Sequence, residues 1–337
     1  MLQKSKMVGT VLGRRIIWAI DAFEPNLDAH QDTAKYIHQI VDQAGGTVVP
    51  VYVLNAAQLN LTEEVSGPWI EHYQPAAEKA LTKMISLIGA SLPIEKPHIL
   101  LQRSPSTYEA TDLLASFAQS MNASAIVVNS HGRSGMTRFF LGSFTETLLT
   151  KSTIPVLVLG PKLIDRSRPR AVSQILFPTE FGSHSQDIFR RVVQLAIELK
   201  SQLTLFHAVP HPIEPLFQSG VYLLGGSWIP IQNYFGEEVD RQKRHAEAWT
   251  RWAEHQGVKT HFVLNTDGGG ISQLLVDLAR TENTSLIAME EQSGPIAAAL
   301  LGSVTRQVIR SAPCPVWVMR HVKPSPGTLL HPQQKAA

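Results

Sequence analysis

The sequence predicts an α/β chain of two doubly wound halves in tandem, each a five-stranded, mainly parallel sheet with helices on both faces. Three observations predict it. Short apolar stretches alternate with helical periodicities along the whole chain. Those stretches are continuously apolar rather than alternating, as strands covered on both faces are. The pattern then starts again: Gly142 to Gly302 is a shift of 160 residues and Asp21 to Glu180 a shift of 159.

The first half opens on Ile16-Ile17-Trp18-Ala19-Ile20, a strand that ends on the carboxylate of Asp21. Residues 28–44 carry Ala34, Ile37, Ile40 and Val41 at helical spacing, closed by Gly45-Gly46. Thr47 to Leu54 reads as the second strand. A looser stretch over 55–70 leads to a helix around 75–91, which Pro93 and Pro97 end. His98 to Gln102 is the third strand, and Ser106 to Met121 the third helix. Ala125 to Val128 is the fourth strand. A small-residue loop with Gly132 and Gly135 follows it, then a helix from Gly142-Ser143 to Lys151. Ile154 to Leu159 is the fifth strand.

The second half restates these elements at Ser173–Glu180, Gln202–His207, His261–Asn265, Thr284–Met289 and Cys314–Met319. Leu300-Leu301-Gly302-Ser303-Val304-Thr305 repeats Phe140-Leu141-Gly142-Ser143-Phe144-Thr145. The expected organisation is a first domain over 10–162, a charged linker over 163–170, a second domain over 171–322 and a disordered tail over 323–337.

Composition narrows the function. A length of 337 residues exceeds what single cores usually reach, about 250. Thirty basic and 28 acidic residues leave a net charge of +2, which gives no reason to expect a nucleic-acid partner. Cys314 is the only cysteine, so no intrachain disulfide forms. The start lacks a secretory apolar segment, and no apolar run reaches the ~18 residues of a membrane span. The expectation is a soluble, cytoplasmic protein.

The stretch from Ser124 to Glu146 carries the candidate chemistry. Strand, glycine loop and helix start together make an anion site, because the free N–H groups and the dipole of a helix N-terminus favour negative charge. The plain alternative is a turn, with Ser143 and Glu146 forming a capping box. Ligands of such sheets sit beyond the carboxyl ends of the strands, where both Asp21 and the loop after Asn129 lie. Asp21 alone reads equally as a turn or capping carboxylate.

Elsewhere the motifs are weaker. His207 and His211 flank Pro210 and share no helix face, so no metal site is expected. His131 has no partner in a known catalytic order and reads as a solvated loop residue. Gly268-Gly269-Gly270 reads as a turn into a helix. Trp249 and Trp252 read as core. The segment 210–235 is apolar, with Leu216, Phe217, Tyr222, Leu223, Leu224, Trp228 and Ile229. It docks on the protein's own core or roofs an apolar pocket of the second half.

Taken together, these residues resemble the universal stress protein family in its tandem two-domain form, from about Arg14 to Arg320. Its ATP-binding members carry a Gly-2x-Gly-9x-Gly-Ser/Thr signature. Here the chain reads Asn129-Ser130-His131-Gly132, nine residues, then Gly142-Ser143, so it departs only at Asn129. The resemblance implies Rossmann-like domains of the adenine nucleotide alpha hydrolase type and a nucleotide in the first. Asp21 would accept from the adenine amino group, and Val51 or Val53 would pack on the base. Asn129, Gly132, Arg133 and Gly142 would bring the loop's main chain to the phosphates. Ser143 and Thr145 would offer hydroxyls to phosphate or to a Mg²⁺ bound with ATP. No dedicated base or nucleophile is marked, so at most slow ATP hydrolysis is expected.

Aligned on the same pattern, the second half reads Met289-Glu290-Glu291-Gln292-Ser293, with Gln292 at the place of Gly132 and Glu180 at that of Asp21. Its two carboxylates would repel a phosphate, so no ATP is expected there. The resemblance also implies that Val156-Leu157-Val158 and Val316-Trp317-Val318 pair inside one chain, an internal pseudo-dimer. Whether that unit pairs again as a homo-oligomer stays open. The competing reading is a nucleotide-free binding or scaffold protein that holds an apolar small molecule or a partner near 210–235.

Overall fold

The computed structural model describes residues 10–12, 15–24, 27–55, 63–88, 91–130, 141–161, 171–182, 185–209, 231–291 and 301–320. The expected linker and tail lie outside these residues, as do Gly132, Arg133 and the greater part of the 210–235 segment.

The first half runs β1 (Arg15–Ala19), α1 (Leu27–Ala44), β2 (Thr47–Asn55), α2 (Glu63–Ile88), β3 (His98–Gln102), α3 (Thr107–Ser120), β4 (Ala125–Asn129), α4 (Ser143–Lys151) and β5 (Val156–Leu159). The second runs β6 (Gln174–Pro178), α5 (Ser185–Glu198), β7 (Gln202–Ala208), α6 (Ile231–His255), β8 (Thr260–Asn265), α7 (Ile271–Thr281), β9 (Leu286–Glu291), α8 (Ser303–Ser311) and β10 (Val316–Arg320). The alternation read from the sequence is the alternation of the fold.

The ten strands form one sheet, in the order β3-β2-β1-β4-β5-β10-β9-β6-β7-β8. Neighbours are parallel except at the centre, where β5 and β10 run antiparallel. There Trp317 stands opposite Leu157, flanked by Val316 opposite Val158 and Val318 opposite Val156. Leu157 and Trp317 are equivalent residues of the repeat, 160 positions apart, so the pseudo-two-fold axis passes between them.

Each face of the sheet carries one core shared by both halves. Trp18, Ile37, Leu81, Leu157, Phe177, Phe189, Trp249 and Trp317 pack under α1, α2, α5 and α6. Ile17, Val51, Leu114, Leu148, Leu275, Val308 and Val316 pack under α3, α4, α7 and α8. Trp249 stacks on Phe189 at 4.3 Å between ring centres, so its role is packing, as read from its spacing. Gly268 and Gly269 adopt positive φ, +74° and +110°, in the turn before α7, again as read. Among the described residues, no helix is long and apolar enough to cross a membrane.

Two expectations about the elements need correction. The second helix begins at Glu63, not near residue 75, and runs through Pro68 and Pro75. Proline interrupts helical hydrogen bonding, which is why the sequence suggested a start at Pro75. Burial outweighs that cost: Ile70, Ala77 and Leu81 are fully buried along one side of α2. Nor does Ser143 form a capping box. The N-cap of α4 is Gly142, with no side-chain cap bond. The Glu146 carboxylate is instead taken by Arg306 of α8, its equivalent in the other half.

Candidate functional site

The parallel order 3-2-1-4-5 leaves a crevice where β1 and β4 diverge, because the chain leaves β1 in one direction and returns beside it from the other. Asp21 follows β1 on one lip of this crevice. Asn129 ends β4, and the N-terminus of α4 lies across from it. The structure therefore brings Asp21, Asn129, Gly142, Ser143 and Thr145 to one end of the sheet.

Their bonds differ from what the sequence suggested. Asp21 Oδ1 accepts from the Phe23 N–H at 3.1 Å, and the Asp21 carbonyl accepts from Glu24, which closes a tight turn. The Asn129 side chain meets the Thr33 hydroxyl of α1 at 2.7 Å. That hydroxyl has one proton and donates it to the Ala29 carbonyl, also at 2.7 Å. Asn129 Oδ1 is the second acceptor within reach of the same hydroxyl. Asparagine at the first motif position is thus a strut between β4 and α1.

Thr145, 4% exposed, donates its hydroxyl to the Asn129 carbonyl at 3.1 Å. The Gly142 N–H is bonded to the Ser130 carbonyl at 3.0 Å. Both protons go to main-chain carbonyls of the protein. What α4 does offer is the exposed Ser143 hydroxyl and the first-turn N–H groups of Ser143, Phe144 and Thr145, which a glycine N-cap leaves without a capping side chain.

Val51 and Val53 do not end the second strand, which continues to Asn55. Val51 is fully buried and its carbonyl receives the Ile20 N–H at 2.9 Å, so its side chain belongs to the core under α3. Val53 lies on the same face, 6% exposed.

His30, in the first turn of α1, was not singled out by the sequence. It is 2% exposed and its ring lies edge-on to Trp18. Burial pushes its pKa below the ordinary imidazole value, against the pull of Glu24 and Asp21. A histidine at helical spacing gives no signal to distinguish it from a surface one.

The second half keeps the crevice between β6 and β9 but fills it differently. Strand pairing corrects the alignment read from the sequence. Ile126 pairs with Val156 and Ile287 with Val316, so β5 to β10 is a shift of 160 while β4 to β9 is a shift of 161. Glu290, not Met289, therefore stands at the place of Asn129, and Glu291 at that of Ser130. Glu291 is 4% exposed. Its carboxylate accepts from the Gly302 N–H at 2.8 Å and from the Thr305 hydroxyl at 2.7 Å. Glu180 is exposed, and the turn bond that Asp21 makes in the first half falls to Thr179, whose hydroxyl accepts from the Phe181 N–H.

Beside that turn, the His207 ring packs on Phe181, which holds a left-handed backbone at φ +54°. His207 Nδ1 donates to the Thr179 carbonyl at 2.7 Å. Among the described residues, Nε2 of His207 and Oε1 of Gln242 are buried without a hydrogen-bond partner. Among the described residues, no cluster of three His, Cys, Asp or Glu side chains gathers to hold a metal ion.

Comparison with known proteins completes the picture. The model of the universal stress protein family matches twice, over residues 14–160 and 172–320. No curated protein sequence matches the chain at a significant level. Of solved structures, a universal stress protein from Archaeoglobus fulgidus DSM 4304 aligns over 91% of this chain and 96% of its own, at 16% identity and a TM-score of 0.60. A putative universal stress protein from Pseudomonas aeruginosa UCBPP-PA14 aligns over 92% and 93%, at 13% identity and a TM-score of 0.54. At these identities the likeness is one of fold.

Proposed function

The chain belongs to the universal stress protein family, with two copies of its domain in tandem, and from that premise we propose that it binds one adenine nucleotide, ATP, in its first half as part of a stress response. The observation that carries this reading is the contrast at the two helix N-termini. The N-cap of α4 makes no side-chain cap bond, whereas at α8 the N-cap amide is bonded to a carboxylate, that of Glu291.

In this reading the phosphates lie against the Ser143–Thr145 amides, with the Ser143 hydroxyl and the Gly132–Arg133 main chain completing the cradle. Asp21 receives the adenine amino group. Mg²⁺ enters with the triphosphate, held by it and by Ser143. Thr145, Gly142 and Asn129 shape the site from behind: Thr145 bonds Asn129, Asn129 bonds Thr33 of α1, and Gly142 bonds Ser130. The chain acts as a nucleotide-holding cytoplasmic protein rather than a dedicated enzyme, and any hydrolysis is slow.

Isothermal titration with Mg-ATP tests this. The expected result is one saturable site per chain with micromolar affinity, lost in Gly132→Glu. Absence of saturable binding by the unaltered protein would reject the reading. A second reading, an apolar ligand in the second half, is favoured by the buried His207 Nε2, without a partner among the described residues, on a ring that packs on Phe181 and through it on Trp249. Mass spectrometry of organic extracts of the native protein would then find a bound small molecule carrying a hydrogen-bond donor.

A further inference from the structure

Glu291 occupies the place where an anion would dock on the second half. A helix N-terminus attracts negative charge because its first N–H groups point outward and its dipole is positive there. At α8 that attraction is already met. One Glu291 oxygen takes the Gly302 N–H and the other takes the Thr305 hydroxyl, at 2.8 and 2.7 Å, with the side chain 4% exposed. Two oxygens of one anion thus bridge the N-cap amide and a hydroxyl of the first turn, as two oxygens of a phosphate would.

The first half shows what this replaces. At the position of Glu291 it has Ser130, and the Gly142 N–H goes to the Ser130 main-chain carbonyl. Thr145, the equivalent of Thr305, bonds the Asn129 carbonyl. Both acceptors there are neutral, and the one acidic side chain in the first turn of α4, Glu146, is paired with Arg306. In the second half both acceptors are oxygens of one charged group. β10 adds a compensating cation, since Arg320 pairs in register with Glu291 and feels its charge.

We infer that Glu291 is a built-in oxyanion, and that it keeps phosphate off the N-terminus of α8. The helix N-terminus of α8 persists beneath it. Its N-cap is glycine and its first turn holds Ser303 and Thr305, as at α4. The second half is therefore held permanently in a self-liganded form, whether or not the first half takes a nucleotide.

The test uses the full chain and inorganic pyrophosphate. In ¹⁵N-labelled unaltered protein, the Gly302 amide resonance is expected to stay in place as pyrophosphate is added. Saturable movement of that resonance would overturn the inference, because that helix N-terminus would then be open. Glu291→Ser, which restores the residue of the first half, is expected to gain one additional equivalent of bound pyrophosphate by titration calorimetry and to show a moving Gly302 resonance. Glu291→Gln fills the same space without the charge and is expected to gain weaker binding than Glu291→Ser. A cooperatively folded Glu291→Ser chain that binds no more pyrophosphate than the unaltered protein would also overturn it. The Gly142 resonance, followed in the same spectra, reports separately on the first half.

Discussion

At the scale of single residues, His30 makes the clearest prediction. Its folded pKa lies below the unfolded value of about 6.5, because burial disfavours the charged ring. As pH falls through that value the unfolded chain takes up a proton that the folded chain refuses. Stability is therefore full above it and declines below it, by at most ~1.4 kcal/mol per pH unit for one proton. His30→Phe should flatten the decline of the urea midpoint between pH 7.5 and 5.5. An unchanged slope would assign the decline to other groups. Phe189 stands at the equivalent place 159 residues on, fully buried, so an aromatic hydrocarbon fits this environment. Of the residues read from sequence as a site, Asp21, Asn129, Gly142, Ser143 and Thr145 do gather at one crevice. Their individual bonds were not legible, because the Thr33–Asn129 contact joins residues 96 positions apart that neither strand nor helix periodicity relates.

At the scale of elements, the packing of β5 against α8 has no slack. A methyl group added to Gly160, just after β5, would sit 2.5 Å from the main-chain carbonyl of Ile309 in α8. A backbone atom cannot swing aside as a side chain can. Gly160→Ala should destabilise the protein by about 1–3 kcal/mol, seen as a lower melting temperature, and an unchanged melt would show that α8 shifts freely. The strands were legible because each is a short apolar run bounded by polar turns. Most helices were legible from spacing and caps, as with Ser106 at the N-cap of α3. The start of α2 was not, since prolines 68 and 75 signal a break that core contacts override. The one-residue slip between β4 and β9 was hidden as well. The loops after these strands have no periodicity to fix their length, and only strand pairing shows which residues correspond.

At the scale of the whole molecule, the antiparallel β5–β10 pair makes ten strands into a single sheet. The Glu146–Arg306 pair beside it contributes little on its own, since both side chains are about a third exposed. The paired strands and the shared cores hold the halves together. A chain cut after residue 161 would expose the unpaired edge of β5, a strand fully buried in the intact protein. It should elute from a sizing column as a dimer or larger species rather than as a monomer, and a stable monomer would contradict this account of the seam. Glutamate at 146 facing arginine at 306 has one more consequence. In two identical units meeting about a true dyad, a residue lying at the axis confronts its own twin, so glutamate would oppose glutamate here. Fusing the units into one polypeptide lifts that restriction, and it makes their association independent of how dilute the protein becomes. Each partner is then free to specialise, since neither can be exchanged for a copy of the other.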